Sequence, residues 1–269
     1  MKTLRALAAF IKRDLLIELS YRTSFVLQIG GILFSVLLWR FVTRVVDAPP
    51  STPGLGGMDY FAYVLVGIAM YHYLSAALMS FSGKIRNEQV TGTLEAMLVT
   101  PTSIGTIVLG SSLWDFLLTS LKVVLYLLVG WIAFGVRIRP GGILPCVLIL
   151  SLTVLAFSGI GILSAAFILY LKRGDPITYV IATVSALLGG VFYPPENLSP
   201  ALEVCSRFLP ITYALRALRG ALLQGIPLAG LLPDLEALGI FVVVLVPLGV
   251  VAFRIAVRKA RQEGSLVQY

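Results

Sequence analysis

The sequence predicts an all-α integral membrane protein, and three observations lead to that fold class. Hydrophobic residues make up 58% of the 269 residues and charged residues only 13%, whereas soluble domains carry roughly 25% charged residues. The apolar residues form several runs, most of them long enough to cross a bilayer, which takes about 20 helical residues. Short loops rich in glycine, proline or basic residues separate these runs. Such a chain cannot hide its apolar surface from water in one globule.

Six apolar runs predict six transmembrane helices. They are Thr23–Phe41, Tyr60–Phe81, a stretch within Ser103–Phe134, Ile143–Leu171, Ile177–Val191 and Leu235–Ile255. The third is longer than a bilayer needs, so it must tilt or project beyond it, and the fifth is short for a full crossing. We therefore expect one transmembrane domain, divided into residues 1–22, spans 1 and 2 (23–82), a polar segment (83–102), spans 3 to 5 (103–191), a hairpin (192–232), span 6 (233–257) and a tail (258–269).

The first 22 residues predict an amphipathic helix. Leucine, isoleucine and alanine recur at helical spacing on one face, and the lysines and arginines lie off that face. A basic amphipathic helix beside a span is typical of a segment held in the interface by anionic headgroups. Lys12, Arg13 and Asp14 interrupt the apolar stretch, which is not the pattern of a secretory signal peptide.

The most informative polar segment is Arg86–Pro101, which lies between two long apolar runs. Leu94 and Leu98 recur at helical spacing, Thr93 is a candidate N-cap, and Glu95 would occupy the favourable first turn. These features predict a short amphipathic helix across the cytoplasmic end of a helix bundle. An ordinary loop with an interfacial helix resting on lipid is the alternative.

The second unusual region is Phe192–Leu232. Prolines break the preceding span, and the amphipathic stretch Leu198–Arg219 is interrupted at Pro210. This region is too polar to span the bilayer and too apolar to float in water. Irregular backbone at membrane depth must be buried in protein or line a cavity, so we expect a re-entrant or interfacial helical hairpin. Arg216 and Arg219 are expected to face the outer headgroups or an exit path.

These two regions carry a resemblance to type-2 ABC exporter permeases, the membrane subunits of bacterial drug, polysaccharide and lipid exporters. The first resembles the family's cytoplasmic coupling segment, with matching residues Glu88, Gly92, Thr93, Leu94, Glu95, Leu98, Thr100 and Pro101. The second, F-Y-P-P-E-N-L-S-P at Phe192–Pro200 and L-P-I-T-Y-A-L-R-A-L-R at Leu209–Arg219, resembles the hairpin before the family's last span. Together with the hydropathy pattern, the resemblance covers nearly the whole chain.

The resemblance implies a permease that moves an amphipathic drug-like or lipid-linked substrate outward. A separate ABC ATPase, in two copies and holding ATP and Mg, would supply the energy through a coupling helix. The residues that couple the permease to the ATPase would be Arg86, Glu88, Gly92, Thr93, Leu94, Glu95, Leu98 and Pro101. The residues of the outer hairpin or gate would be Phe192, Tyr193, Pro194, Pro195, Arg216 and Arg219. A second permease copy completes the transporter, as a homodimer or a heterodimer. The short loops and the G-T-L-E sequence favour the drug-exporter branch over the polysaccharide branch.

The third run carries Asp115 and Lys122 on one helix face. Ionisable residues inside a span usually face each other or a cavity. We interpret them as a possible intramembrane polar pair, with an interfacial contact or a transport role as alternatives. His72, between two tyrosines, is interpreted as a buried or interfacial residue. Cys146 and Cys205 lack metal-ligand spacing, and a disulfide between them stays open.

The distribution of lysine and arginine predicts the orientation. Thirteen of the 21 basic residues fall at the N-terminus, in the 83–102 and 172–176 segments and in the tail, and seven fall on the other side. The richer side faces the cytoplasm. Both termini would then be cytoplasmic and the hairpin external, in a bacterial or archaeal cell membrane. The net charge of +8 is explained by this asymmetry and by membrane lipids, without a nucleic-acid partner.

The sequence contains no G-x-x-x-x-G-K-[ST] motif and no cluster with metal-ligand spacing. We therefore expect no cofactor in this chain and no enzymatic activity of its own. A self-contained channel or secondary transporter is the main alternative function, and a non-transporting scaffold or membrane-embedded enzyme is another.

Overall fold

In the computed structural model of the chain, residues 11–16, 18, 20–46, 48–90, 104–139, 143–171 and 176–262 are described. Within these ranges the regular structure is entirely helical. The α-helices are α1 (Arg22–Val46), α2 (Tyr60–Val90), α3 (Ile104–Phe134), α4 (Ile143–Leu171), α5 (Pro176–Leu188), α6 (Pro200–Ser206), α7 (Pro210–Arg219) and α8 (Leu232–Gln262). Residues 11–16 are helical as well. Short 3₁₀ turns occupy Pro195–Asn197 and Leu228–Leu231, and a π-helical turn occupies Gly220–Gln224.

Five helical stretches within the described residues are long and apolar enough to cross a membrane. They are Thr23–Val46, Tyr60–Phe81, Ser112–Phe134, Ile143–Leu169 and Leu228–Lys259. The predicted fifth span corresponds to α5, which has 13 residues and is therefore only about 20 Å long, short of the roughly 30 Å hydrocarbon core. The fold is thus the predicted all-α membrane architecture, while the count of six spans is not confirmed.

Helix α2 runs further than the sequence pattern predicts. It continues without a break from the apolar run through Lys84 to Val90, so Arg86 and Glu88 extend a long helix and do not begin a separate short one. The other predicted coupling residues, Gly92, Thr93, Leu94, Glu95, Leu98 and Pro101, lie outside the described residues. Helix α3, with 31 residues, has the excess length expected of the third span.

The core of the bundle is built around α2. In an 18-residue window of the Tyr60–Phe81 stretch 72% of the residues are buried, against 11% in the corresponding window of Thr23–Val46. Helix α2 packs against both α3 and α4, and α4 packs in turn against α8. Helix α1 lies at the edge and exposes large apolar side chains such as Phe34 and Phe41, as expected for a surface that faces lipid or another chain.

Glycines bring the central helices into backbone contact. A Cβ at Gly161 of α4 would overlap with the carbonyl oxygen of Ala77 in α2. On another face of α4, a Cβ at Gly159 would lie 2.7 Å from the backbone carbon of Leu245 in α8. Without a hydrophobic driving force between helices in lipid, such close approach lets van der Waals contacts hold the bundle together.

Replacement of Gly161 by alanine is expected to destabilise the bundle by about 1–3 kcal/mol, because the added methyl group must push α4 away from α2. The matched control is Gly239→Ala in α8, where a Cβ meets no atom within 4 Å and helix propensity predicts a slight gain. Heating both variants in detergent, with helical circular dichroism as the signal, measures the difference. Equal unfolding midpoints for the two variants would contradict the packing described.

Candidate functional site at the hairpin before the last helix

Between α5 and α7 the chain leaves the helical conformation while still in contact with α2. Three consecutive carbonyl groups there have no helical partner, and each accepts a hydrogen bond from a side chain. The Gly190 oxygen accepts from the Tyr63 hydroxyl at 3.1 Å, the Val191 oxygen from Arg219 Nη2 at 3.2 Å, and the Phe192 oxygen from the Tyr60 hydroxyl at 3.1 Å. The irregular backbone is therefore satisfied by α2 and α7, as burial inside a membrane bundle requires.

Arg219 is the centre of this arrangement. Its Nε and Nη2 donate to the carbonyl oxygen of Tyr63 at 3.1 and 2.9 Å, and its guanidinium carbon lies 3.3 Å from the centroid of the Tyr63 ring. Only 4% of its surface is exposed. Burial lowers the pKa of Arg219 to about 10 by disfavouring the charged form, so the side chain is still a cation at neutral pH. In the described part of the chain no carboxylate lies within ion-pair distance of it.

Gly67 makes room for this contact. A Cβ at position 67 would overlap with the Val191 carbonyl oxygen and lie 2.8 Å from Arg219 Nη2. Gly67 is four residues after Tyr63 and so faces the same side of α2. The turn itself requires Gly190, whose φ of 83° lies in the left-handed region that side chains with a Cβ avoid.

Arg219 is buried and does not face the outer headgroups, while the alternative that it faces an exit path stays a prediction. The helical spacing correctly separated it from the leucine face of α7, but α7 is covered on several sides by α2, α4 and α8, so a second face is buried as well. Arg216 does lie at the surface, with 56% of its side chain exposed, and forms an ion pair with Asp234 of α8. The hydrogen bond to Asp234 raises the pKa of Arg216.

The remaining predicted hairpin residues pack this loop against neighbouring segments. The ring of Phe192 stacks on Trp39 of α1 at 4.7 Å between centroids. Pro194 is buried and Tyr193 and Pro195 are partly buried. A Cβ at Gly54 would overlap with Pro194, which places the loop between α1 and α2 directly against the hairpin.

A cavity of about 350 Å³ opens beside Arg219, and its lining includes Glu196, Glu203, Arg207 and Arg216. Its charges are largely compensated from within the chain. Arg207 Nη2 lies 2.8 Å from Glu203 Oε1, and Arg216 is held by Asp234. The cavity is therefore polar but close to neutral, which suits a polar group better than a second ion.

Sequence reasoning missed the α2 half of this site, namely Tyr60, Tyr63 and Gly67. In the sequence Tyr60 marks only the start of the second apolar run. The available signal was the triplet of two tyrosines and a glycine on one face of α2, but its meaning depends on a loop more than a hundred residues further along the chain.

The predicted pair Asp115 and Lys122 does not form a direct ion pair among the described residues. Seven residues place the two on one face of α3, but about 10.5 Å apart along the axis. The Asp115 carboxylate instead accepts a hydrogen bond from Ser80 of α2 at 2.6 Å. Further along the same interface His72 Nε2 lies 2.9 Å from the Tyr126 hydroxyl. His72 is thus partly buried and hydrogen-bonded between helices, as interpreted from the sequence.

The two cysteines are both free, Cys146 buried and Cys205 exposed, so the alternative of a disulfide is excluded. In the ranges that the structure describes, no group of three or more metal-ligating side chains comes together.

Several helices long and apolar enough to cross a bilayer, together with a buried hairpin whose loop carbonyls have side-chain donors, define a multi-pass membrane protein. The ABC-2 type transporter family matches residues 5–223, and the chain belongs to this family. It is therefore the membrane component, or permease subunit, of an ABC transporter, a family that works with an ABC ATPase partner. The subunit itself is not the catalytic one.

Two relatives agree with this assignment. The chain is 26% identical over 197 residues to nodulation protein J of Neorhizobium galegae, which covers 70% of this chain and 71% of the relative. It is 27% identical over 202 residues to nodulation protein J of Rhizobium leguminosarum bv. trifolii, covering 71% and 72%.

Replacing Arg219 tests the hairpin contacts. Arg219→Met keeps the apolar stem but leaves the Val191 carbonyl without a donor and the Tyr63 carbonyl with only its helical one, so we expect a loss of about 1–3 kcal/mol of stability, since unsatisfied buried groups are unfavourable. Arg219→Lys should lose less stability than Arg219→Met but remain below the unmodified chain, because an ammonium lacks the planar fork of the guanidinium. Thermal unfolding in detergent measures both. Arg207→Gln, which removes an exposed arginine from the same hairpin, should change the midpoint little, and an equal effect of all three would contradict this role.

Proposed function

We propose that this chain is the permease subunit of an ABC exporter that moves an amphipathic drug-like or lipid-linked substrate outward. The observation that carries the proposal is the family match over residues 5–223, which contains the Arg86–Pro101 segment and most of the 192–232 hairpin. A self-contained channel or secondary transporter is not favoured by any contact among the described residues.

In this proposal residues 83–102 couple the permease to the ATPase, which holds ATP and Mg. The continuity of α2 supports the idea. A helix of 31 residues is about 46 Å long, and it carries Arg86 and Glu88 at one end and the tyrosines that hold the hairpin at the other. A displacement of the coupling segment would then reach the outer hairpin through one rigid element.

The hairpin would form the outer gate. Together with α5 it would also complete one crossing of the bilayer, so that the chain crosses the membrane six times. Helix α5 is too short to cross alone, but Val191, in the loop that follows it, lies beside Gly67, about 10 Å below the start of α2 by helical rise. The re-entrant hairpin would complete the path to the outer surface and α8 would return the chain to the cytoplasm. This gives both termini a cytoplasmic location in a bacterial or archaeal inner membrane.

A second permease copy, most simply an identical one, would complete the transporter, with two ATPase subunits. The exposed apolar face of α1 supports an interface there, since a Cβ at Gly30 or Gly31 meets no atom within 4 Å. Gly189 and Gly190, by contrast, are already in contact with Ile211 and Pro195 of the same chain, which assigns them to packing within one subunit.

The substrate is proposed only as a class. The two relatives are named for nodulation, which supports neither a drug nor a lipid-linked substrate in this chain, so the preference for the drug-exporter branch stays a prediction.

The coupling assignment predicts that Glu88→Arg and Leu94→Asp each abolish co-purification of an ABC ATPase with the affinity-tagged chain from its native cells. Charge reversal or a buried acid would disrupt the face presented to the ATPase. Arg216→Gln, at the hairpin, is the matched control: it should lower transport and leave ATPase association intact. Association that survives in both coupling variants, or is lost in Arg216→Gln, would argue against the assignment.

The proposed orientation predicts that exposed Cys205 reacts with a membrane-impermeant maleimide added to intact cells. Cys146, which is buried, should not react, and Cys205→Ser should remove the signal. A Glu88→Cys variant in the Cys205→Ser background should react only after permeabilisation. Mass spectrometry of the labelled chain reads out each site, and the reverse pattern would invert the topology.

A further inference from the structure

A second and larger cavity, of about 760 Å³, lies on the hairpin side of the bundle. It is separate from the Arg219 cavity and opens where the last turns of α1 and α3 approach the start of α2. We call it the arginine cleft, since its lining includes Arg40, Arg137 and Arg139. Neither the coupling segment nor the proposed gate makes use of it.

The positive charge of the arginine cleft is not compensated by the residues that the structure describes. Asp59 is the only acidic residue in its described lining, and one oxygen of that carboxylate already accepts the Ala62 backbone N–H at 3.2 Å at the start of α2. Among the described residues no ion pair involves any of the three arginines. This distinguishes the cleft from the Arg219 cavity, where two arginines hold carboxylates of the same chain.

The Arg40 guanidinium contacts two aromatic rings, but one of its N–H groups lacks an acceptor among the described residues. Its guanidinium carbon lies 5.0 Å from the ring centroid of Phe61 and 5.9 Å from that of Phe134. Its Nε is buried and has no hydrogen-bond partner among the described residues. A guanidinium with an unused buried N–H can receive an acceptor that the described part of the chain does not supply.

We propose that the arginine cleft binds a phosphate group at the outer surface of the membrane that the chain spans. Guanidinium groups bind phosphate oxygens through two parallel hydrogen bonds, and the Phe61 and Phe134 rings beside Arg40 offer contact to an apolar portion. The outer location rests on the proposed orientation, whereas the binding chemistry does not. The phosphate can belong to a lipid headgroup or be free, and the two sources are distinguished by experiment.

The test is titration calorimetry of the purified chain in a neutral detergent. The probes are dihexanoyl phosphatidic acid, inorganic phosphate and, as a zwitterionic comparison, dihexanoyl phosphatidylcholine. The unmodified chain should bind phosphatidic acid, and the triple variant Arg40→Gln/Arg137→Gln/Arg139→Gln should bind it at least about tenfold more weakly, since each tenfold step corresponds to about 1.4 kcal/mol. Binding of phosphatidic acid without inorganic phosphate supports a lipid headgroup, and binding of both supports phosphate as the sufficient group.

Two further variants keep the result interpretable. Arg44→Gln removes an exposed arginine one turn along α1 from Arg40 and should leave binding unchanged. The double variant Arg137→Gln/Arg139→Gln changes only exposed side chains, should unfold like the unmodified chain, and should still weaken binding at least about threefold. Absence of phosphatidic acid binding, equal binding by the triple variant, or an equal loss in Arg44→Gln would overturn the proposal. Because no ATPase is present, failure of the ATPase co-purification would leave this result unaffected.

Discussion

The structure depends on how a membrane bundle accommodates backbone that is not helical. Where α5 stops short, the carbonyls of residues 190–192 would be left without partners in a largely apolar surrounding, which is unfavourable by several kcal/mol for each group. Two tyrosines of α2 and Arg219 of α7 supply the missing donors. One buried guanidinium thereby ties three separate segments together. Its charge is stabilised by two carbonyl oxygens and the Tyr63 ring, without a carboxylate partner among the described residues.

These hydrogen bonds to the hairpin make α2 the central helix of the bundle. It is the most buried of the five candidate spans, it receives the hairpin near its first residue, and it continues unbroken to Val90. Glycines at 67 and 161 let the hairpin and α4 approach its backbone directly. A central helix that contacts so many neighbours moves only as a unit with them, which is the mechanical property that the proposed coupling role needs.

Much of the fold follows from hydropathy alone, because twenty apolar residues have few other structures open to them. The sequence also locates the hairpin, since Pro194, Pro195 and Pro210 interrupt an apolar pattern at places where backbone donors are lost. It could not assign Arg219. Amphipathic spacing tells which residues leave the leucine face, but whether the opposite face meets water or another helix is decided by α2 and the 189–193 loop. Asp115 and Lys122 likewise lie on one face of α3, but the neighbouring helix decides their partners, and Asp115 accepts a hydrogen bond from Ser80 of α2.

The two cavities on the hairpin side show why arginines close in space have different roles. Arg207 and Arg216 each meet an acid of this chain, at Glu203 and Asp234, so removal of either arginine leaves a carboxylate unpaired, and their primary effect is on the hairpin itself. The arginines of the cleft have no such acid among the described residues, so their charge is directed towards whatever enters. In the proposed exporter, the paired arginines would stabilise the hairpin and the cleft arginines would remain available to a ligand. The paired arginines lie in the hairpin, Arg207 directly after α6 and Arg216 in α7, whereas the cleft arginines lie near the ends of α1 and α3.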